Sequence, residues 1–91
     1  MPRFLAICTI PGLDEAKLRQ VFPGTRTSEW RPDARTTILK VLASSQAGKV
    51  LAECDAVEQA HFEAWLQKVG WTPDAVYRVD YVKQGPNFWK V

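Results

Sequence analysis

The chain has 91 residues, 46% of them hydrophobic and 24% charged, with a formal net charge of +2. That length makes one small domain whose core hides only about 60–65% of the unfolded surface, so association with a second copy is a ready way to bury more. The small charge, without a Lys/Arg stripe, excludes nucleic acid, and no stretch approaches the roughly 20 apolar residues of a membrane span.

Residues 3–10, "RFLAICTI", are rich in β-branched and aromatic side chains and end at Pro11-Gly12, which predicts a strand. The opening run is too short for a signal peptide and lacks a small-residue cleavage site. Cys8 and Cys54 are the only cysteines. Two thiols make no disulfide framework, so a reducing, cytoplasmic setting with free thiols is expected.

"LDEAKLRQVF" follows. Asp14 and Glu15 favour a helix start, Leu13, Leu18, Val21 and Phe22 share one side, and Pro23-Gly24 ends the helix. Residues 23–35 carry two prolines and read as a long loop, either functional or hiding a short element. "TTILKVLASS" and "GKVLAECD" predict two strands joined as a hairpin, with Gly48 at the turn.

Asp55, followed three residues later by Glu58, matches a capping box for a second helix. Phe62, Trp65, Leu66 and Val69 mark the apolar face of that helix and Gly70 its end. "AVYRVDYVK" predicts a fourth strand, and residues 84–91 are a C-terminal tail expected to pack on its own or a neighbouring subunit. The order β-α-β-β-α-β is the ferredoxin-like split βαβ pattern, an α+β fold with a four-stranded antiparallel-type sheet and both helices on one face. The crossover rule is expected to place the first and third strands together at the centre, parallel to each other.

Alternation divides the strands into two sets. Phe4, Ala6 and Cys8; Leu39, Val41 and Ala43; Val50, Ala52 and Cys54; and Tyr77, Val79 and Tyr81 are assigned to the face under the helices, where small central residues leave room for Phe62 and Trp65. Leu5, Ile7 and Thr9; Ile38, Lys40 and Leu42; Leu51 and Glu53; and Val76, Arg78, Asp80 and Val82 form the other face. Exposed, that second face would be an apolar sheet, which a monomer rarely tolerates. It predicts a homodimer of the α+β-barrel type, a cleft for a small molecule, or both.

The candidate ligand-binding residues are Arg78 and Lys40 as anion anchors, with Asp80, Tyr77 and Trp30. Against this stands plain cross-strand pairing, Lys40 with Glu53 and Arg78 with Asp80. Trp65 is assigned to the core, whereas Trp30, Trp71 and Trp89 either plug the ends of a small core or line a pocket or interface.

His61, the only histidine, falls roughly 80° from the centre of the apolar helix face, a boundary position that suits half-buried packing. On adjacent parallel strands of equal parity, Cys8 and Cys54 could approach, and with His61 they make a conceivable metal or redox site. Zinc sites normally show closely spaced pairs such as C-x₂-C, which this chain lacks, so no metal or cofactor is expected and buried core thiols are the plain alternative. No G-x-S-x-G, H-E-x-x-H, P-loop or G-x-G-x-x-G occurs, so an enzymatic reading would rest on cofactor-free monooxygenase or isomerase chemistry using Arg78, Tyr77, Asp80 and His61.

Over residues 36–79, "TTILKVLASSQAGKVLAECDAVEQAHFEAWLQKVGWTPDAVYRV", the sequence resembles the small nickel-binding-like ferredoxin-fold domains of unknown function. The shared features are the hairpin turning at Gly48, the third strand running into Asp55-Ala56, the helix ending at Gly70, and the strand start at Val76-Tyr77. The resemblance implies a homodimeric α+β fold. It does not carry the metal over: the family's ligand positions fall on Ala52, Leu66 and Trp71, none of which can bind nickel, so it implies a metal-free relative.

Overall fold

In the computed structural model, which describes residues 1–91, the two most regular alternating runs become the centre of the sheet. They are β1 (Arg3–Thr9) and β3 (Lys49–Ala56), with β2 (Thr36–Ser44) and β4 (Pro73–Val79) at the edges in the order β2-β3-β1-β4. Three helices complete the α+β fold: α1 (Glu15–Val21), α2 (Thr27–Trp30) and α3 (Gln59–Val69).

All pairings in the sheet are antiparallel. The first and third strands are adjacent, but they run in opposite directions rather than in parallel. The reason is topological. The β1–β2 crossover passes over β3, so β2 is parallel to β1, and the tight β2–β3 hairpin then reverses the chain. Gly48 closes that hairpin at φ +64°, where a Cβ would stand 3.3 Å from the carbonyl oxygen of Ile10.

The core lies between the sheet and the helices. Phe4, Ala6 and Cys8 of β1 and Val50, Ala52, Cys54 and Ala56 of β3 face it, and the small members leave room for Phe62, Trp65 and Leu66 of α3. Phe62 and Leu66 are completely buried, each contributing on the order of 1.5–3 kcal/mol. Trp71 is also buried, and its ring meets that of Trp65 edge-on at 5.7 Å between centroids. The helical side of α1, Leu18 and Val21, together with Phe22, packs against this cluster.

Several local expectations change. Residues 23–35 contain α2, a single turn whose approach is tied down by Glu29: its carboxylate accepts the backbone amides of Gly24 and Arg26, each at 3.0 Å. Asp55 caps no helix. It remains in β3, paired with Arg3 at 3.0 Å, while the Ala56 amide donates to the Pro2 carbonyl, so the strand runs on and α3 starts at Gln59. The predicted fourth strand breaks at Asp80 into β4 and β5 (Tyr81–Gln84), and residues expected to form a tail supply β6 (Asn87–Lys90). Together β5 and β6 make a hairpin with its own register, extended at its open end where the Val91 amide donates to the Asp80 carbonyl.

The face assignment holds for β1 and β3 and fails on the edges. A bulge between Ile38 and Lys40 sets Leu39 aside, so Ile38 stands opposite Cys54 in the core and Leu39 is exposed, while Val41 and Ala43 keep the helical side. On β4 the parity is inverted. Val76 and Arg78 pair with Ala6 and Phe4 and share the helical side, whereas Tyr77 and Val79 pair with Leu5 and Arg3 on the other face.

Candidate functional site

The face turned away from the helices is built in four rungs. Ser44, Lys49 and Thr9 form the first, where the Lys49 ammonium donates to the Thr9 hydroxyl and meets the Asp74 carboxylate at 3.3 Å. The Thr9 hydroxyl in turn donates to Asp74, and this bond, with help from Lys49, lowers the pKa of the carboxyl. Leu42, Leu51, Ile7 and Ala75 form the second rung, and Lys40, Glu53, Leu5 and Tyr77 the third. Thr37, Asp55, Arg3 and Val79 form the last. Arg3 there bridges Glu53 at 3.4 Å and Asp55 at 3.0 Å.

The result is an apolar band crossing all four strands, with charges at both ends that are largely satisfied within the chain. Leu42, Leu51 and Tyr77 expose 57%, 37% and 55% of their surface in that band. The β5–β6 hairpin adds a second exposed apolar group, in which Tyr81 and Phe88 stack at 6.0 Å and Trp89 stands beside Val82 in the register.

The candidate ligand-binding residues divide between the two edges of the sheet. Lys40 and Trp30 meet at the β2 edge, where they line a shallow depression of about 210 Å³ with Phe22, Leu39 and Val41. Tyr77 lies on the open face of β4, Arg78 on its helical side, and Asp80 at the exposed break before β5. Lys40 and Arg78 therefore occupy opposite faces and opposite edges and cannot clamp one anion. Lys40 stands opposite Glu53 as cross-strand pairing requires, although the ion pair of Glu53 is made with Arg3.

Cys8 and Cys54 both point into the core, but Cys8 stands opposite Val50 and Cys54 opposite Phe4. Their levels on β1 are thus four positions apart, about 13 Å along the strand. Burial raises the pKa of both thiols, aided at Cys8 by Asp74. Cys54 is pushed up to about 12, burial outweighing the opposing hydrogen bond from the Thr37 backbone. His61 lies elsewhere, lining a small recess with Pro32, Asp33 and Lys68, its Nδ1 buried without a hydrogen-bond partner. No three His, Cys, Asp or Glu side chains come together as a metal site would require.

The largest concavity was not foreseen from the sequence. It runs between α1 and α3, as two adjoining parts of about 610 Å³ and 470 Å³ that share Gln20, Val21, Lys68 and Val69. The periodicity that places Val21 and Val69 on apolar helix faces also places them beside this groove, but nothing in the spacing shows that the helices part there.

No protein-family model and no curated protein sequence matches the chain. Among solved structures, it is similar to SCO4226 from Streptomyces coelicolor A3(2), with a TM-score of 0.67 at 13% sequence identity over 85% of this chain and 94% of that one. At that identity the likeness is one of fold.

Proposed function

We propose that this chain is a ferredoxin-like domain that works as a homodimer of the α+β-barrel type, closed over the open sheet face, and serves as a small-molecule-binding module rather than an enzyme. The single observation that carries this reading is the apolar band of Leu5, Ile7, Leu42, Leu51 and Tyr77, half-buried or exposed on one side of a sheet whose two central strands are covered by the helices on the other. A band of this kind at the surface of a small domain is a docking surface. Its flanking charges favour a second copy over a charged partner: Arg3 is already bound by Glu53 and Asp55, and Lys49 by Asp74.

The strand order β2-β3-β1-β4, with one helical crossover over β3 and another over β1, supports the ferredoxin-like description. The exposed aromatic side chains of the β5–β6 hairpin would add apolar area to the same association. Two free, buried, protonated thiols suit a reducing cytoplasm. The non-enzymatic reading is favoured by the scatter of Arg78, Tyr77, Asp80 and His61 over separate surfaces.

Native mass spectrometry of protein purified without chelator is the direct test. A dimer free of metal is the expected result. A monomer at micromolar concentration would overturn the sheet-face association, and a stoichiometric metal adduct would overturn the metal-free reading.

A further inference from the structure

The groove between α1 and α3 has a shape and charge that the dimer does not explain, because it opens on the helical side of the domain. α1 ends at Val21, the chain turns away at Pro23-Gly24, and the groove lies where Lys17, Gln20 and Val21 of α1, with the segment that follows it, face Lys68 and Val69 in the last turn of α3.

The floor of the groove is apolar, formed by Val21 and Val69 with the little of Trp65 and Trp71 that is exposed, one in each part. Its rim is cationic. Lys68 stands at the middle, lining both parts, with Arg26 at one end and Lys17 at the other. Lys17 is anchored by the Pro11 carbonyl at 2.6 Å, whereas Arg26 and Lys68 take part in no ion pair. The one carboxylate in the groove, Glu29, is engaged by the backbone amides of Gly24 and Arg26 and holds the rim in place. Cations free of ion pairs beside an apolar floor make a binding site for an anion with an apolar body.

We propose that this groove binds an amphiphilic organic anion, a flat apolar body bearing one carboxylate. The body lies on Val21, Val69 and the exposed parts of the tryptophans, and the carboxylate meets Lys68 and the Arg26 guanidinium, whose planar fork suits a carboxylate. The volume of either part falls in the roughly 300–1,000 Å³ range of small-molecule sites. This assignment does not rest on the sheet-face dimer.

The test is a titration of the full ¹⁵N-labelled chain with 2-naphthoate and with its neutral amide, 2-naphthamide, followed by NMR. The expected result is saturable shifts at Val21, Lys68, Val69 and the Trp65 and Trp71 indoles, with the amide at least ten-fold weaker. Lys68→Glu, an exposed change in the last turn of α3, should weaken naphthoate ten-fold or more and leave the amide unaffected. Arg26→Gln should weaken naphthoate by a smaller factor. The proposal is overturned if naphthoate gives no saturable shift, if its shifts map to Leu5, Ile7 and Leu42, if the amide binds as tightly as the acid, or if Lys68→Glu leaves naphthoate affinity unchanged.

Discussion

Cys8 and Cys54 share the buried face of two neighbouring strands, yet antiparallel pairing sets them four residues apart. A disulfide needs Cα atoms within about 7 Å, so mild oxidation should give no intramolecular crosslink, checked by mass after alkylation of the remaining thiols. Both thiols should react with iodoacetamide at pH 8 far more slowly than in urea, since both side chains are inaccessible. The pH dependence has a definite sign. Burial raises the Cys54 pKa to about 12, so its contribution to stability is complete below about pH 8.5, where an unfolded thiol is still protonated, and is lost as pH rises towards 12. Cys54→Ala should flatten the alkaline fall in urea midpoint; an unchanged slope would refute the assignment.

Thr36 offers a gain in stability. It is buried to 1% exposure with its Oγ1 unpartnered, at a strand position where a β-branched residue is favoured. Thr36→Val keeps the shape and removes the unsatisfied hydroxyl. Urea unfolding should show a gain of about 1 kcal/mol.

Two glycines with positive φ should respond differently to alanine. Gly48 combines φ +64° with the Ile10 carbonyl in close approach, and the Ile10 amide donates back to Gly48 at 2.8 Å. Gly48→Ala should cost roughly 1–2 kcal/mol in backbone strain, with a further penalty from the crowding. Gly85, at φ +56° with open space around it, sits in the peripheral hairpin. Gly85→Ala should leave the global unfolding midpoint nearly unchanged.

The open face is tested by charge. Ile7→Asp or Leu51→Lys places an ion in the apolar band and should convert a dimer to monomer, or to poorly soluble protein, as read by light scattering after gel filtration. A soluble dimer unaltered by either change would place the association elsewhere.

How much of this fold could be read from the chain depended on how strictly each segment alternates. In β1 and β3 every second residue is buried, and the pattern Phe4-Ala6-Cys8 against Val50-Ala52-Cys54 named the core face directly. On β2, the bulge at Leu39 inserts one residue that no composition signal marks, so parity before it was lost. On β4, Tyr77 and Arg78 are both exposed, so the two faces of the edge look alike and alternation carries no direction. Residues 27–30 form too short a helix for periodicity to register. Asp55 and Glu58 have the spacing of a helix cap, but Arg3, distant in sequence, claims the carboxylate for the sheet. The Gly85-Pro86-Asn87 turn between two short alternating runs is a hairpin signal, and it explains why Asn87–Lys90 forms a strand and not a tail. For the α1–α3 groove, the floor residues are visible as apolar positions, but the gap follows from how α1 and the segment after Phe22 sit against the last turn of α3, which is a tertiary fact.

The bulge at Leu39 also limits what this sheet can become. β2 is an outer strand of nine residues with one side of its backbone unpaired, the kind of edge on which another chain can add. An extra residue near its middle bends that edge and breaks the even spacing of its outward amides and carbonyls. An incoming strand could match the run before Leu39 or the run after it, but not both, so open-ended growth by strand addition is disfavoured there while face-to-face association stays open.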